Sequence, residues 1–288
     1  MKCSLCPRGC FAERNEAEGK GFCGLNEKIK VARIAPHMWE EPPISGTHGS
    51  GAVFFSGCTL RCVFCQNYEI SALNKGTYIS VEKLADEFKK LEKSGVHNIN
   101  LISPTPYVNS IIKALDIYKP EIPIVYNCGG YETADTIKML DGYIDIYLPD
   151  FKYSDDELAL RYSKAAKYKN TALKAVSEMI KQVGENRFDS GGIMEKGVII
   201  RHLVLPNHTK NSIGVLDIIN ESFPGTPVSL MGQYVPCYKA CEFEKLSRRI
   251  TRREYIKVKD YMESLGLSGF SQQLSSADDK YIPDWNYR

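Results

Sequence analysis

Three cysteines, Cys58, Cys62 and Cys65, lie close together in the stretch SGCTLRCVFCQNYEIS. A structural zinc site takes four ligands and disulfides consume cysteines in pairs, so a group of three matches neither pattern. Iron–sulfur clusters are held by cysteine thiolates, commonly four for a [4Fe–4S] cube. Three thiolates would leave one iron open, which is what a catalytic metal site needs. The spacing favours such a cluster over zinc completed by a distant residue or a chance group of buried thiols.

A second group of cysteines has the spacing Cys3-x2-Cys6-x3-Cys10-x12-Cys23. The segment around it is rich in glycine and poor in apolar residues, so a metal is a plausible organiser of its fold. Zinc, a second iron–sulfur cluster and no metal at all remain open at this point. The other cysteines are expected to be packing residues: Cys128, Cys237 and Cys241.

The composition is that of an ordinary globular chain of 288 residues, with 43% hydrophobic and 25% charged residues. A net charge of +2 predicts no general attraction to nucleic acid or to an anionic membrane. The N-terminus lacks the apolar core of a signal peptide, and no stretch approaches eighteen apolar residues. We therefore expect a cytoplasmic protein, and in that reducing compartment clustered cysteines indicate metal or redox chemistry.

The elements that must position the three cysteines alternate between short apolar runs and amphipathic stretches. Six strands are predicted, each followed by a helical stretch, at 52–57, 98–103, 122–130, 143–152, 197–206 and 227–235. Such alternation predicts a parallel sheet with right-handed crossovers. Eight units would close a full barrel, so six predict an α/β fold with a partial barrel.

Helix starts are predicted from side chains that cap the backbone. Ser80 precedes the amphipathic stretch VEKLADEFKKLEK, while Ser154 with Glu157 and Thr251 with Glu254 have the spacing of capping boxes. The predicted organisation is a cysteine-rich segment at 1–48, the barrel at 49–266 and a tail at 267–288. The tail carries aromatic and apolar residues that predict docking on the barrel: Tyr281, Ile282, Trp285 and Tyr287.

Active residues in parallel sheets lie at the carboxyl ends of the strands. The three-cysteine loop follows the first predicted strand. Polar candidates follow or end the later strands: Ser103, Thr105, Asn127, Asp150, Lys152 and Gln233. In the fifth strand Arg201 and His202 interrupt an apolar run, and only one of two neighbours can face the barrel interior.

The stretch CTLRCVFC, with Phe64 before the last cysteine, resembles the signature of the radical S-adenosylmethionine (radical SAM) superfamily. The longer words CSLCPRGC, EEPPISG, IVYNCGGYE and QYVPCYKACEFEKLSRRITRREY are similar to its pyruvate formate-lyase activating enzyme-like (PflX-like) branch. That resemblance covers nearly the whole chain. It implies one [4Fe–4S] cluster on Cys58, Cys62 and Cys65, with SAM on the fourth iron.

The resemblance also implies contacts with SAM. Ser103 and Thr105 occupy the place of the family's Gly-Gly-Glu motif, although ISPTPY has no acidic residue there. Asn127 stands where a polar side chain meets SAM, and Asp150 with Lys152 resembles an Asp-x-Lys element. Arg201 is favoured over His202 as the inward residue, and Gln233 or Tyr234 is placed near the adenosine. Turns and an exposed ion pair are the structural alternatives at these positions.

The activity implied is reductive cleavage of SAM to a 5′-deoxyadenosyl radical, which abstracts a hydrogen atom from a substrate. The expected partners are SAM, a low-potential electron donor of the flavodoxin or ferredoxin type, and a protein substrate such as a glycyl-radical enzyme. Two alternatives stay open. One is radical SAM chemistry on a small molecule or another peptide; the other is a non-catalytic iron–sulfur or zinc protein.

Overall fold

The computed structural model describes residues 2–15, 19–272 and 285. Within these ranges eight strands form one sheet and three strands form a second, smaller sheet. The strands are β1 (Ile29–His37), β2 (Ser50–Phe55), β3 (Thr77–Ile79), β4 (Ile99–Ile102), β5 (Ile124–Cys128), β6 (Ile146–Pro149), β7 (Arg187–Phe188), β8 (Met194–Val198), β9 (Ile200–Leu203), β10 (Val228–Met231) and β11 (Gly269–Ser271).

The helices follow the strands in the order that the sequence predicts. They are α1 (Pro42–Ser45), α2 (Tyr68–Ser71), α3 (Val81–Lys93), α4 (Val108–Ile117), α5 (Ala134–Lys138), α6 (Asp156–Ser163), α7 (Tyr168–Val183), α8 (Thr209–Ser222) and α9 (Arg252–Ser264). Three short 3-10 turns lie at Thr105–Tyr107, Ala240–Glu242 and Glu244–Leu246.

The two sheets are joined through β6. The larger sheet has the order β3-β1-β2-β4-β5-β6-β8-β7, and its β2, β4, β5, β6 and β8 are parallel. Beyond β8 the chain stays beside β6, because the Phe151 N–H donates to the Arg201 carbonyl at 2.7 Å and Asp150 bridges Arg201. Strands β10 and β11 then continue the parallel arrangement from β9. The predicted α/β partial barrel is confirmed.

Buried strands and one-sided helices explain this arrangement. All six residues of β2 are buried, as expected of a strand covered on both faces. Helix α3 buries Leu84, Phe88 and Leu91 on one face, and the Ser80 side chain caps its first turn. The core therefore lies between the parallel strands and the surrounding helices.

One capping box is confirmed and the other is wrong. Thr251 and Glu254 form the predicted reciprocal cap of α9. Helix α6 instead begins after Asp155, whose side chain accepts the Glu157 N–H. Ser154 is engaged elsewhere, since its hydroxyl donates to the Asn211 carbonyl at 3.1 Å. An aspartate caps a helix as well as a serine does, so the neighbouring carboxylate takes the position.

Four strands lie outside the predicted runs, and the predicted run 197–206 is divided between the end of β8 and all of β9. β1 and β3 extend the edge of the larger sheet in antiparallel pairing, and the two-residue β7 pairs with β8 in the same way. β11 lies at the start of the predicted tail and pairs with β10. Further along, the Trp285 ring packs edge-on to Phe54 with the ring centroids 5.3 Å apart. Tyr281, Ile282 and Tyr287 lie outside the described residues.

None of the helices in the described ranges combines the length and the apolar character needed to cross a bilayer.

Candidate active site

The three-cysteine loop begins directly after β2. Gly57 has φ +82°, and a Cβ there would lie 2.4 Å from the Leu25 Cδ1, so both backbone conformation and space require glycine. Farther along, the Val63 N–H donates to the Tyr162 carbonyl at 2.9 Å. The loop 58–65 is therefore held by contacts that come from distant parts of the chain.

Every sulfur of the loop accepts a hydrogen bond. The donors are the Leu60 N–H to Cys58 at 3.4 Å, the Ser163 hydroxyl to Cys62 at 3.0 Å, and the Ser71 hydroxyl to Cys65 at 3.2 Å. Hydrogen bonds to sulfur stabilise thiolate charge and tune the potential of an iron–sulfur cluster. Neither serine was predicted as a neighbour of the cysteines. Ser71 is the last residue of α2 and Ser163 is the last residue of α6, so both lie outside the cysteine motif.

The donor set fits an iron–sulfur cluster, because cysteine thiolates are the usual ligands of its irons. In residues 2–15, 19–272 and 285, no three His, Cys, Asp or Glu side chains are grouped so as to hold one metal ion. A cube differs, since each thiolate binds its own iron at a separate corner. Burial raises the pKa of Cys62. Burial also raises the pKa of Cys65 to about 12, and the neighbouring Cys62 and Cys58 add to that effect. A metal that bound these thiols would therefore have to displace their protons.

A cavity of about 510 Å³ opens beside this loop at the carboxyl ends of the parallel strands. It brings together most of the predicted site residues, which come from the cysteine loop, from β5 and β9, and from the segments that follow β6 and β10: Cys62, Cys65, Asn127, Asp150, Lys152, Arg201 and Gln233. Cys58, Ser103 and Thr105 are not among its lining residues. The cavity is therefore bounded by thiols on one side and by charged and amide groups from the strand ends.

Arg201 is the centre of a buried charge network. Its guanidinium donates to the Asp150 Oδ1 at 2.9 Å, to the Asn127 Oδ1 at 2.6 Å and to the Glu40 Oε2 at 3.3 Å. Lys152 forms an ion pair with the other oxygen of Asp150. Burial opposes the charge on Asp150, but Arg201 and Lys152 hold the pKa of that carboxyl below its ordinary value.

Glu40 is a member of this network that sequence reasoning missed. It lies in the loop between β1 and α1, and its side chain is 10% exposed. Burial raises the pKa of Glu40 to about 7, although Arg201 acts in the opposite direction. Its only sequence signal is the pair of acidic residues before two prolines in EEPPISG, which carries no information about the distant Arg201.

Ser103 and Thr105 lie in the turn after β4. Ser103 has φ +57°, and its N–H donates to the Asn127 carbonyl at 2.9 Å. The buried Thr105 hydroxyl donates to the Glu132 Oε1 at 2.9 Å and accepts from the Tyr126 hydroxyl at 3.1 Å. An acidic side chain is thus present beside this turn, but it comes from the loop after β5. Burial raises the pKa of Glu132 to about 7.

Alternation along β9 separates Arg201 from His202. Arg201 lines the cavity, while His202 is fully buried on the other side. Its Nδ1 lies 2.7 Å from the Phe151 carbonyl and its Nε2 lies 2.9 Å from the Ser212 hydroxyl. Burial lowers the pKa of His202 to about 4, so the ring is neutral at ordinary pH.

Two further residues flank the site: Arg61 in the three-cysteine loop and Tyr234 after β10. The Arg61 guanidinium donates to the Cys23 carbonyl at 2.7 Å, so it bonds the N-terminal segment. Tyr234 lines the cavity next to Gln233, and its hydroxyl donates to the Leu246 carbonyl at 2.7 Å. Of the remaining cysteines, Cys128 is buried and Cys241 is exposed.

A partial parallel barrel with three thiols and a charged cavity at its carboxyl edge defines an α/β enzyme built for a metal cofactor. Residues 52–217, more than half of the chain, match the family model of the Radical SAM superfamily. The chain belongs to that superfamily.

Similar proteins support the fold. An uncharacterised protein of Methanocaldococcus jannaschii is 32% identical over 274 residues, which cover 92% of this chain and 75% of the relative. SuiB of Streptococcus suis, solved with its precursor peptide SuiA, has a TM-score of 0.54 at 15% identity, covering 85% of this chain and 49% of SuiB. Methylornithine synthase has a TM-score of 0.51 at 15% identity, covering 77% of this chain and 70% of the synthase. The chain thus spans about half the length of SuiB, and at these identities the two structures show the fold alone.

Membership of the superfamily implies an enzyme that binds a [4Fe–4S] cluster and cleaves SAM reductively, with radical chemistry to follow. The pyruvate formate-lyase activating enzyme-like branch remains a prediction from the sequence.

Proposed function

We propose that Cys58, Cys62 and Cys65 hold the cluster, that SAM binds in the cavity beside them, and that the radical from SAM abstracts a hydrogen atom from a polypeptide. The observation that carries this proposal is the cavity itself, which has two of the three thiols and a buried charge network on its walls. When bound, the cluster supplies the single electron that SAM cleavage requires.

The charge network is suited to the amino-acid part of SAM, which has one positive and one negative group. Lys152 and Arg201 attract its carboxylate, while Asp150 and Asn127 offer oxygen acceptors for its amino group. Gln233 lies at the end of β10, where its amide can meet the adenosine. Ser103 and Thr105 do not line the cavity, so in this proposal they shape the turn beside Asn127.

The size of the cavity favours a substrate that presents only a small group to the radical. A volume of about 510 Å³ is of the order that one drug-sized ligand occupies, so SAM leaves little room for a second large molecule. The lining also includes Met38 and Trp39, which are 44% and 62% exposed. An exposed apolar rim of this kind is suited to contact with a polypeptide surface.

Activation of a glycyl-radical enzyme is the form of this reaction that we propose first, because it removes a single hydrogen atom from one glycine. A precursor peptide is the other polypeptide substrate that we consider, since SuiB, which has a similar fold, was solved bound to its precursor peptide SuiA. In both cases a low-potential donor of the flavodoxin or ferredoxin type provides the electron.

Isotope transfer tests the class of substrate. Cells that contain the chain are grown in deuterated medium, and their extract is divided into a protein fraction and a small-molecule filtrate. Each fraction is incubated anaerobically with the reconstituted chain, dithionite and unlabelled SAM. We expect one deuterium in 5′-deoxyadenosine from the protein fraction, because the radical takes its hydrogen atom from the substrate.

The matched control is the Cys62→Ala variant, which should release no 5′-deoxyadenosine from either fraction. Deuterium that appears only with the filtrate would contradict a polypeptide substrate and favour a small molecule. Release of no 5′-deoxyadenosine by the intact chain would contradict the whole proposal.

A further inference from the structure

The N-terminal cysteines converge without a hydrophobic core to hold them. In residues 2–15 and 19–28 the buried apolar side chains are Ala12 and Leu25. Cys3, Cys6 and Cys23 are half-buried, and Cys10 is exposed. A segment with so little apolar burial needs another source of order, and bound metal is the usual one in small cysteine-rich segments.

A positive side chain lies beside this group. The Arg14 Nη1 is 4.0 Å from the Cys3 sulfur, and the same guanidinium donates to the Asn26 carbonyl at 2.9 Å. A cation next to a thiolate stabilises its charge, which favours sulfur in the metal-binding form.

Two of these sulfurs lie over one glycine. A Cβ on Gly21 would be 3.3 Å from the Cys10 sulfur and 3.9 Å from the Cys23 sulfur. The backbone at Gly21 therefore approaches both sulfurs closely, which is how a loop wraps around a bulky inorganic group.

Two arginines bind this segment to the three-cysteine loop in a reciprocal way. Arg8 donates to the Thr59 carbonyl at 2.7 Å and to the Leu60 carbonyl at 3.3 Å, both inside the loop. Arg61 of the loop donates to the Cys23 carbonyl at 2.7 Å. The Phe22 ring contacts both guanidinium groups, at 3.8 Å from Arg8 and 5.5 Å from Arg61.

We propose that Cys3, Cys6, Cys10 and Cys23 hold a second iron–sulfur cluster, of the [4Fe–4S] type, docked on the loop of the first. A [4Fe–4S] cube takes one thiolate at each of its four corners, so the four cysteines match its ligand number. Zinc also takes four thiolates, and the metal content of the chain distinguishes the two. The second cluster would reach the surface at Cys10 and be joined to the first loop by Arg8 and Arg61.

Metal content of the full chain tests this inference independently of enzymatic activity. After anaerobic reconstitution, we expect about eight irons and eight sulfides per intact chain, four from each cube. The Cys58→Ala/Cys62→Ala/Cys65→Ala variant leaves the N-terminal group untouched and should retain about four of each. Its reduced cluster should give an electron paramagnetic resonance signal that SAM does not change.

The complementary variant, Cys3→Ala/Cys10→Ala, should also fall to about four irons while keeping a SAM-sensitive signal. The matched control is Cys241→Ala, which removes an exposed cysteine outside both groups and should keep about eight irons.

Two outcomes would overturn the second cluster: a triple variant without iron, or about one zinc per chain that is lost in Cys3→Ala/Cys10→Ala. A failure of the first site is distinguishable, since the triple variant would then hold as much iron as the intact chain.

Discussion

The two cysteine groups of this chain are alike in density but differ in their surroundings. Cys58, Cys62 and Cys65 follow a fully buried strand, accept a hydrogen bond at each sulfur and lie next to a cavity. The N-terminal group lies in a segment with little apolar burial and is anchored to the three-cysteine loop by Arg8 and Arg61. The difference is what the two proposals predict: three thiols beside a cavity would leave a position for a ligand, whereas four thiols would complete their own site.

The largest expected effect tests the three-cysteine side of this comparison. Replacing Cys58, Cys62 or Cys65 with alanine should abolish the release of 5′-deoxyadenosine from SAM, because a cube with two protein ligands is not retained in the catalytic geometry. Chromatography of anaerobic reactions with dithionite measures the product. Cys241→Ala should keep full turnover, and turnover retained in all three alanine variants would remove these cysteines from the mechanism.

The next effect concerns the charges that face the cysteines across the cavity. Arg201→Leu leaves Asp150 and Glu40 buried without their common partner, so we expect a loss of about 3–5 kcal/mol in the free energy of unfolding. Urea unfolding measures the loss, and SAM binding should weaken in the same variant. The control is Arg187→Leu, which breaks the exposed pair with Glu195 and should cost less than about 1 kcal/mol. Equal losses in the two variants would contradict a buried network.

The pH dependence of stability separates Glu40 from exposed carboxylates. Burial raises the pKa of Glu40 from 4.5 to about 7 in the folded chain. Between these values the folded state binds a proton that the unfolded state has released, so the free energy of unfolding falls as pH rises.

Glu40→Gln should reduce that fall by on the order of 2 kcal/mol between pH 5 and 8, measured by urea unfolding at several pH values. Glu185→Gln, at an exposed position, should leave the wild-type slope. A Glu40→Gln slope as steep as wild type would show that Glu40 is ionised throughout this range.

The smallest effect tests the hydrogen bonds to sulfur. Ser163→Ala removes the hydroxyl that donates to Cys62, so the bound cluster should keep its iron but shift to a more negative reduction potential. The chain should also lose about 1 kcal/mol of stability. Redox titration followed by electron paramagnetic resonance measures the shift. The control is Ser177→Ala in α7, whose hydroxyl bonds the Leu173 carbonyl, and it should not move the potential.

The six strands of the barrel could be predicted because each is a short apolar run that ends in polar or glycine residues. β1 could not, because its sequence IKVARIAPH mixes charged and apolar residues along a half-exposed strand. The prediction that Arg201 rather than His202 faces the cavity is confirmed, since neighbours in a strand point to opposite sides.

The partners within the site were harder to predict than the strands. Glu40 and Arg201 are 161 positions apart, and Ser163 and Cys62 are 101 positions apart. No local pattern links such residues, because only the closure of the barrel brings them together. The local cysteine spacing predicted the cofactor, while the groups that tune it depend on the tertiary fold.

The central claim is that SAM binds the iron that Cys58, Cys62 and Cys65 leave open. Its most direct test is the electron paramagnetic resonance spectrum of the reduced chain with SAM that carries ¹⁵N in the amino group and ¹⁷O in the carboxylate. We predict hyperfine coupling of both labels to the cluster, and its loss in Cys65→Ala. A reduced cluster that shows neither coupling would contradict the account.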